Sequence, residues 1–398
     1  MWIRKRLDIS VQDILFGMRH CFIPGSKTSV KEEIRALWEN RDERAVVCFS
    51  VRTGLDLLLQ ALHFEKGSEI LMSALTIPDM PKIVRYHGLT PVPIDIDTTT
   101  LAPSPENIEA AITDKTKTII VAHLFGNIIN LKEIANIARA YNLILIEDCA
   151  QSYYDTSYTG SDAADISLFS FGTIKTATAL GGSIVLIRNN PELAENIDAI
   201  QTTYPMQRKR VYCKRLAKYL SLSLLFTPVI FRCVVAFMKK IGIDYDAVIH
   251  NLSKSFPSEG FFAKIRVQPS YPLLKLMLRR FKTSSWRSLP ERIHRGDYLL
   301  KKLPETCLFP GTVSEKHTYW VFPILHDHPD DLIKNLRNSG FDATRKHSLE
   351  IIEPSKDNPG NTLPDCRRIV QHILYLPFYR QIPMNEVDRM IEKIKSAG

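Results

Sequence analysis

Between residues 46 and 187, short apolar runs alternate with amphipathic stretches, and this alternation restricts the fold more than any other property of the chain. The runs fall at 46–50, 69–73, 90–96, 118–125, 143–147, 166–171 and 183–187. The stretches between the first five have helical spacing, as in 53–64, where Leu55, Leu58, Leu59 and Leu62 share one face. Further helices are expected at 79–87, 105–112 and 131–141. Strands separated by helices cannot close as tight hairpins, so they pair in parallel and bury both faces of the sheet. The expected fold class is α/β, with a mostly parallel seven-stranded sheet, helices on both faces and a smaller α+β C-terminal domain.

At 398 residues the chain has room for more than one domain. We expect an N-terminal arm over 1–30, a large α/β domain over 31–203, a basic apolar insertion over 204–270 and a small domain over 271–398. Seven scattered cysteines without a CxxC pair point to reduced thiols and exclude a disulfide frame or a zinc site. Residues 1–8 contain no apolar signal region, so a cytoplasmic location is expected.

Two residues past strand ends carry the chemistry. The run ending in Ile146-Glu147 continues into Asp148-Cys149-Ala150-Gln151, and the run ending at Phe171 leads to Lys175 and the pair Gly181-Gly182. Alone, a lysine there reads as a solvated loop residue and an aspartate as a helix cap. Together, at the strand ends where open parallel sheets bind ligands, they supply the amine and the carboxylate that pyridoxal phosphate requires.

The surrounding phrases resemble the DegT/StrS-type sugar aminotransferases, within the fold-type-I pyridoxal phosphate enzymes. The phrases are Gly67-Ser68-Glu69-Ile70, Thr90-Pro91-Val92-Pro93-Ile94-Asp95-Ile96-Asp97, His123-Leu124-Phe125-Gly126-Asn127, Ile146 to Gln151, Ser170 to Lys175 and Leu376-Pro377-Phe378-Tyr379. The resemblance implies that Lys175 binds the cofactor covalently and then carries a proton, and that Asp148 pairs with the pyridine nitrogen. Gln151 would sit at the ring's 3-hydroxyl. Ser170 and Ser50 would hold the phosphate at the helix that begins near Thr53. It implies an amino-acid donor, a keto-sugar acceptor linked to a nucleotide or a lipid, and a homodimer.

The chain departs from the family pattern at three places. The phosphate turn reads Ser50-Val51-Arg52-Thr53, and Arg52 points either to phosphate or to solvent. Ile77 stands where an aromatic residue usually stacks on the cofactor. A Gly-Tyr-Asn-Tyr-Arg-type loop that reaches the partner subunit is missing after residue 200. Two rival readings therefore stay open: a protein of this fold without transaminase activity, acting as scaffold or sensor, and an enzyme of another reaction type such as a dehydratase. The retained Lys175 argues against the known sugar dehydratase variant, which has histidine there. His317, Tyr319, Trp320, Arg345 and His347 either line the acceptor site or serve structure.

The segment 204–240 replaces the missing loop. It holds nine lysines and arginines and no acidic residue, which equals the excess of 52 basic over 43 acidic residues in the whole chain. Residues 219–238 carry one charge, Arg232, and one proline, Pro228. The segment reads as a buried helical hairpin, a monotopic membrane contact or a membrane span. A central arginine costs about 2.5–3.5 kcal/mol on insertion scales, which weighs against the span. The basic cluster favours anionic headgroups over a buried hairpin. The interleaved aliphatic residues suit lipid better than nucleic acid.

Overall fold

A computed structural model describes residues 1–4, 7–246, 248, 259–283, 288–345, 348–355 and 362–396. Two helices open the chain, α1 (Val11–Phe22) and α2 (Lys27–Trp38). Ser10 and Asp13 cap α1 reciprocally, and Ser26 caps α2. The sheet strands are β1 (Glu43–Cys48), β2 (Glu69–Ser73), β3 (Thr90–Ile94), β4 (Thr116–Ala122), β5 (Ile144–Asp148), β6 (Ile166–Ser170) and β7 (Ser183–Arg188). Their order is β1-β7-β6-β5-β4-β2-β3. All neighbouring pairs are parallel except those of β7, which runs antiparallel to both β1 and β6. The expected mostly parallel, seven-stranded α/β sheet is thus observed. No crossover helix lies between β6 and β7, so the chain returns directly and β7 must reverse.

Alternate residues of each strand go to opposite faces. Ala45, Val47, Phe169, Phe171, Ile184 and Leu186 point to a layer that contains residues of α1 and α2. Val46, Cys48, Ile70, Met72, Leu168 and Val185 point to the other, covered by α3 (Val51–Leu62), α4 (Asp79–Tyr86) and α7 (Pro191–Thr202). The first face is completed further along the sheet by α5 (Pro105–Ala111) and α6 (Lys132–Ala140).

After α7 come α8 (Lys209–Leu225) and α9 (Pro228–Lys240), which meet at a bend of 91°. The apolar run 219–238 is therefore not a single rod: the break falls at Phe226-Thr227, with Pro228 at the first position of α9, where a missing N–H costs nothing. Among the described residues no single helix is long and apolar enough to cross a membrane, though this bent pair qualifies by length and composition. The inner side of α8 is bolted to the β6–β7 loop. Tyr212 donates to the Ala179 carbonyl at 2.6 Å, Arg215 donates to that of Leu180 at 3.0 Å, and the Thr173 and Tyr219 hydroxyls meet at 3.3 Å.

The chain continues through α10 (Phe261–Ile265), α11 (Tyr271–Thr283) and α12 (Ser288–Lys302). Next come β8 (Phe322–Leu325), α13 (Pro329–Asn338), α14 (Pro364–His372), β9 (Ile373–Leu376) and α15 (Met384–Lys395). Strands β8 and β9 pair antiparallel, and their apolar residues gather with those of α12, α13 and α15 in a separate cluster. Asp56 of α3 anchors the insertion's far end. It binds Arg266 through both oxygens at 2.9 Å, together with Tyr204 and His87.

Candidate active site

The β6–β7 loop, 171–182, carries Lys175 past the end of β6. It is a tight return: the Ala179 and Gly181 N–H groups both donate to the Phe171 carbonyl, and Thr178 Oγ1 donates to that of Gly172. Ala177 takes a positive φ of 53° and its N–H donates to Asp8 at 2.6 Å. The Lys175 ammonium lies 4.3 Å from the centroid of the Trp320 ring. Burial pushes the amine down to about 8, helped by the positive charge of Arg52 and opposed by Asp148.

Asp148 closes β5. Burial pushes its carboxyl up, against the Ala150 N–H, which donates to Oδ1 at 2.9 Å, and against the charges of Lys175, His123 and Arg52. Lys175, Asp148 and Arg52 thus form one electrostatically coupled group at the carboxyl ends of the parallel strands. The neighbouring Glu147 points the other way and is fully buried. Burial opposes its charge, yet His123 at 2.8 Å, the Ser161 N–H and Ser167 hold its carboxyl below the usual range. His123 Nδ1 accepts the Ile129 N–H, so Nε2 carries the proton toward Glu147. His123, Glu147 and Cys149 lie close enough to suggest a metal site. The histidine's lone pair is taken, however, and burial pushes the Cys149 thiol well up, so the trio is a closed structural set.

The turn into α3 runs from Ser50 to Thr53. Ser50 caps the helix, accepting the Thr53 N–H at 3.2 Å. The Thr53 hydroxyl donates to the Ile265 carbonyl at 2.7 Å and lies 2.9 Å from the Ser50 hydroxyl, so the two hydroxyls form one hydrogen-bonded chain at the helix end. Arg52 is paired with Asp79 of α4 and only partly exposed, so it does not point to open solvent. A Cβ on Gly54 would come within 2.6 Å of Val185, so only glycine lets α3 approach β7 this closely. Ser170 ends β6 directly opposite Ser183 of β7. The Ser183 hydroxyl is buried without a partner among the described residues.

Gln151 accepts the Phe125 N–H through Oε1 at 2.9 Å, which fixes its amide at the end of β4. Ile77 is half-buried between two apolar clusters. The C-terminal residues reach the same edge through Gly126. Its carbonyl accepts the Thr318 N–H at 2.7 Å, and a Cβ there would clash with the Trp320 nitrogen at 2.5 Å. This contact holds Trp320 over the lysine. Tyr319 binds Asp297 at 2.7 Å, packing its ring on Gly296. Arg345 binds Asp330 and the Gln371 carbonyl on the surface. His347 lies outside the described residues.

Sequence reasoning missed three residues. Asp79 holds Arg52, and Ser183 could have been noticed as the first residue of a strand after a glycine pair. Arg292 sits on α12 with its Nε unpartnered among the described residues and its guanidinium brought down to about 10 by burial. Beside it, burial and this arginine push His317 down to about 3.

Residues 26–218 match the profile of the DegT/DnrJ/EryC1/StrS aminotransferase family. A GDP-perosamine synthase of Escherichia coli O157:H7 is 35% identical over 151 residues, which is 37% of this chain and 41% of that relative. The chain therefore matches less than half of that relative's length. Among solved structures, a DegT DnrJ EryC1 StrS aminotransferase from Brucella abortus superposes with a TM-score of 0.70 at 16% identity, covering 97% of this chain and 95% of that one. An aminotransferase of Helicobacter pylori involved in the biosynthesis of pseudoaminic acid gives 0.70 at 14% identity, over 100% and 98%. NtdA of Bacillus subtilis, with bound cofactor PMP, gives 0.67 at 21%, over 97% and 81%. At such identities the structural likeness establishes the fold alone. Over residues 26–218, a little under half of its length, this chain is similar to the DegT/DnrJ/EryC1/StrS aminotransferase family.

Proposed function

We propose that the protein is a pyridoxal phosphate-dependent aminotransferase that moves an amino group from an amino-acid donor to a keto sugar, linked to a nucleotide or a lipid. The observation that carries this reading is the pairing of Lys175, brought down to about 8, with the half-buried Asp148 at the carboxyl ends of two central strands. An amine with a depressed pKa is neutral often enough near neutral pH to attack a carbonyl and to accept a proton.

The residues present fit the cofactor. The N-terminus of α3, the Ser50 and Ser170 hydroxyls, the orphaned Ser183 hydroxyl and the Arg52 guanidinium suit a phosphate. Asp148, half-buried and acidic, suits a pyridine nitrogen. When bound, pyridoxal phosphate supplies the electron sink that makes the donor's Cα–H bond breakable. Lys175 holds the cofactor and moves the proton. Gln151, anchored by Phe125, offers its amide N–H2 to the 3-hydroxyl. Ile77 would pack against the ring, and Thr53, bonded to Ile265 and Ser50, fixes the turn. Trp320 excludes water from the amine. The proposal extends to a homodimer in the cytoplasm, peripheral to the inner face of a membrane.

The test is the visible absorbance of the protein with pyridoxal phosphate, for wild type and Lys175→Ala, before and after borohydride. A band trapped only in wild type, and lost on adding glutamate or glutamine, supports the reading. A folded wild type without a band sinks it.

A further inference from the structure

Helix α9 is apolar on two sides. Phe231 and Val235 face inward and are buried with Ile3 and Tyr245. Val229, Cys233, Phe237 and Ile241, spaced four residues apart, form a second stripe that faces out. Val229 is 77% exposed and Phe237 62%. A helix on the surface of a water-soluble protein presents a polar outer face, and one that is apolar all round calls for an apolar environment. The stripe continues across the bend through Leu224 and Leu225 at the end of α8, both exposed. Among the described residues, fifteen large apolar side chains stand exposed, and nine of them fall between Met206 and Ile243. Scattered exposure is ordinary; concentration in about one tenth of a chain is not.

The charge of the same segment says what covers it. Arg208, Lys209, Arg210, Lys214 and Lys218 are exposed along α8, with Arg232 and Lys240 on α9, and no acidic residue lies between Tyr204 and Lys240. A second copy of this chain packed symmetrically on the patch would bring two such clusters together, and like charges set against each other oppose association. Nucleic acid would satisfy the cations and leave the aliphatic stripe wet. An anionic bilayer satisfies both, with headgroups meeting the cations and acyl chains taking the apolar elbow.

We propose that the α8–α9 elbow is a monotopic docking site for an anionic lipid bilayer, entering one leaflet with its bend and the outer stripe of α9. The 91° bend matches such a shape and leaves neither arm able to cross alone. Pro228 places the turn at the leading edge, and Arg232, exposed one turn into α9, lies at headgroup depth. The inference needs no turnover, so it stands apart from the aminotransferase reading.

The experiment is flotation of the full chain with vesicles of phosphatidylcholine alone and with added phosphatidylglycerol. Wild type is compared with Val229→Asp/Phe237→Asp and with Lys214→Gln/Lys218→Gln, each checked by melting temperature and by mass in solution. We expect wild type to float at least about tenfold better with phosphatidylglycerol vesicles. The aspartate variant stays in the load with unchanged melting and mass, the glutamine variant is intermediate, and alkaline carbonate releases wild type from the vesicles. Four outcomes would overturn the proposal. They are a folded wild type that does not float, binding that survives the aspartates (a contact by charge alone, as with nucleic acid), a halved mass of the aspartate variant (a self-interface), and retention through carbonate (a span).

Discussion

The Trp320 ring lies over the Lys175 ammonium, with Nζ 4.3 Å from the ring centroid, while the Trp320 indole N–H donates to the Ile174 carbonyl at 2.9 Å. One side chain from the C-terminal part thus both covers the amine and ties down the residue before it. A cation over an indole gains about 0.5–2 kcal/mol, more when water is excluded. Trp320→Leu removes the ring and the hydrogen bond and opens the amine to water. Since burial is the main cause of the low pKa, the Lys175 midpoint rises from about 8 toward its ordinary value. Acylation of Lys175 followed against pH by mass spectrometry measures the shift, and an unmoved midpoint would show that Trp320 is not what desolvates the amine.

The same depressed pKa has a consequence for folding. The unfolded chain binds the lysine proton up to about 10.5, whereas the folded one releases it near 8. Below pH 8 the folded state therefore bears the cost of a buried cation, and stability contributed by this residue rises between about 8 and 10.5. Lys175→Met removes that cost. The variant is expected to be more stable than wild type at pH 7, by about 1–3 kcal/mol, with the gap shrinking as pH approaches 10. Denaturant melts at the two pH values measure the gap.

Asp148 separates a functional from a structural carboxylate. It is half-buried, and desolvation raises its pKa, so its charge is a burden to the fold. Asp148→Asn is expected to keep or raise the melting temperature while slowing the glutamate half-reaction at least about a hundredfold. A large loss of stability would mean that the carboxylate holds the fold instead.

In the proposed site Arg52 acts on both cofactor and lysine. Arg52→Gln removes a charge that depresses Lys175, so the lysine midpoint rises. It also weakens pyridoxal phosphate binding about tenfold, the loss of one charge-assisted phosphate contact. Pyridoxal without its phosphate is expected to lose less affinity than pyridoxal phosphate, since it feels only the lysine shift, and an equal loss for both ligands would remove Arg52 from the phosphate site.

Asp56 is the opposite case. It is fully buried, and although burial opposes its charge, His87, Arg266 and Tyr204 hold its carboxyl below the usual range. Its contribution is therefore present above the unfolded carboxylate range and is lost as pH falls through the folded value. Asp56→Asn is expected to cost about 3–5 kcal/mol at pH 7, since Arg266 loses its partner, and much less near pH 3. Chemical denaturation at both pH values decides it.

The sheet was readable in the sequence because its residues obey a local rule. Val46 and Val47 alternate between two apolar layers, and the spacing of Leu55, Leu58 and Leu59 turns one side of α3 to the sheet. Strand ends also located Asp148 and Lys175, since ligands gather there in parallel sheets. What stayed hidden depends on contacts distant in sequence. Trp320 meets Lys175 across 145 positions, through a turn in which only Gly126 tolerates the approach of the C-terminal segment. The Thr53 hydroxyl turns to a carbonyl 212 residues away. Helix α1 lies in the segment expected to be an N-terminal arm, although Ser10 and Asp13 form a local capping signal there. The break at Phe226-Thr227 was foreshadowed by Pro228, but its angle is set by what Phe231 and Val235 pack against.

The three hydrogen bonds from α8 to the Lys175 loop make two distant events thermodynamic partners. Tyr212, Arg215 and Tyr219 hold 173–180 from the inner side of the very helix whose outer side bears the cations. Any ligand that orders α8 also restricts the loop, and a cofactor that orders the loop restricts α8. Linkage is reciprocal: the factor by which one tightens the other is the same in both directions. Vesicles that raise cofactor affinity threefold must therefore bind the cofactor-loaded protein threefold more tightly, about 0.65 kcal/mol of coupling carried by an eight-residue turn.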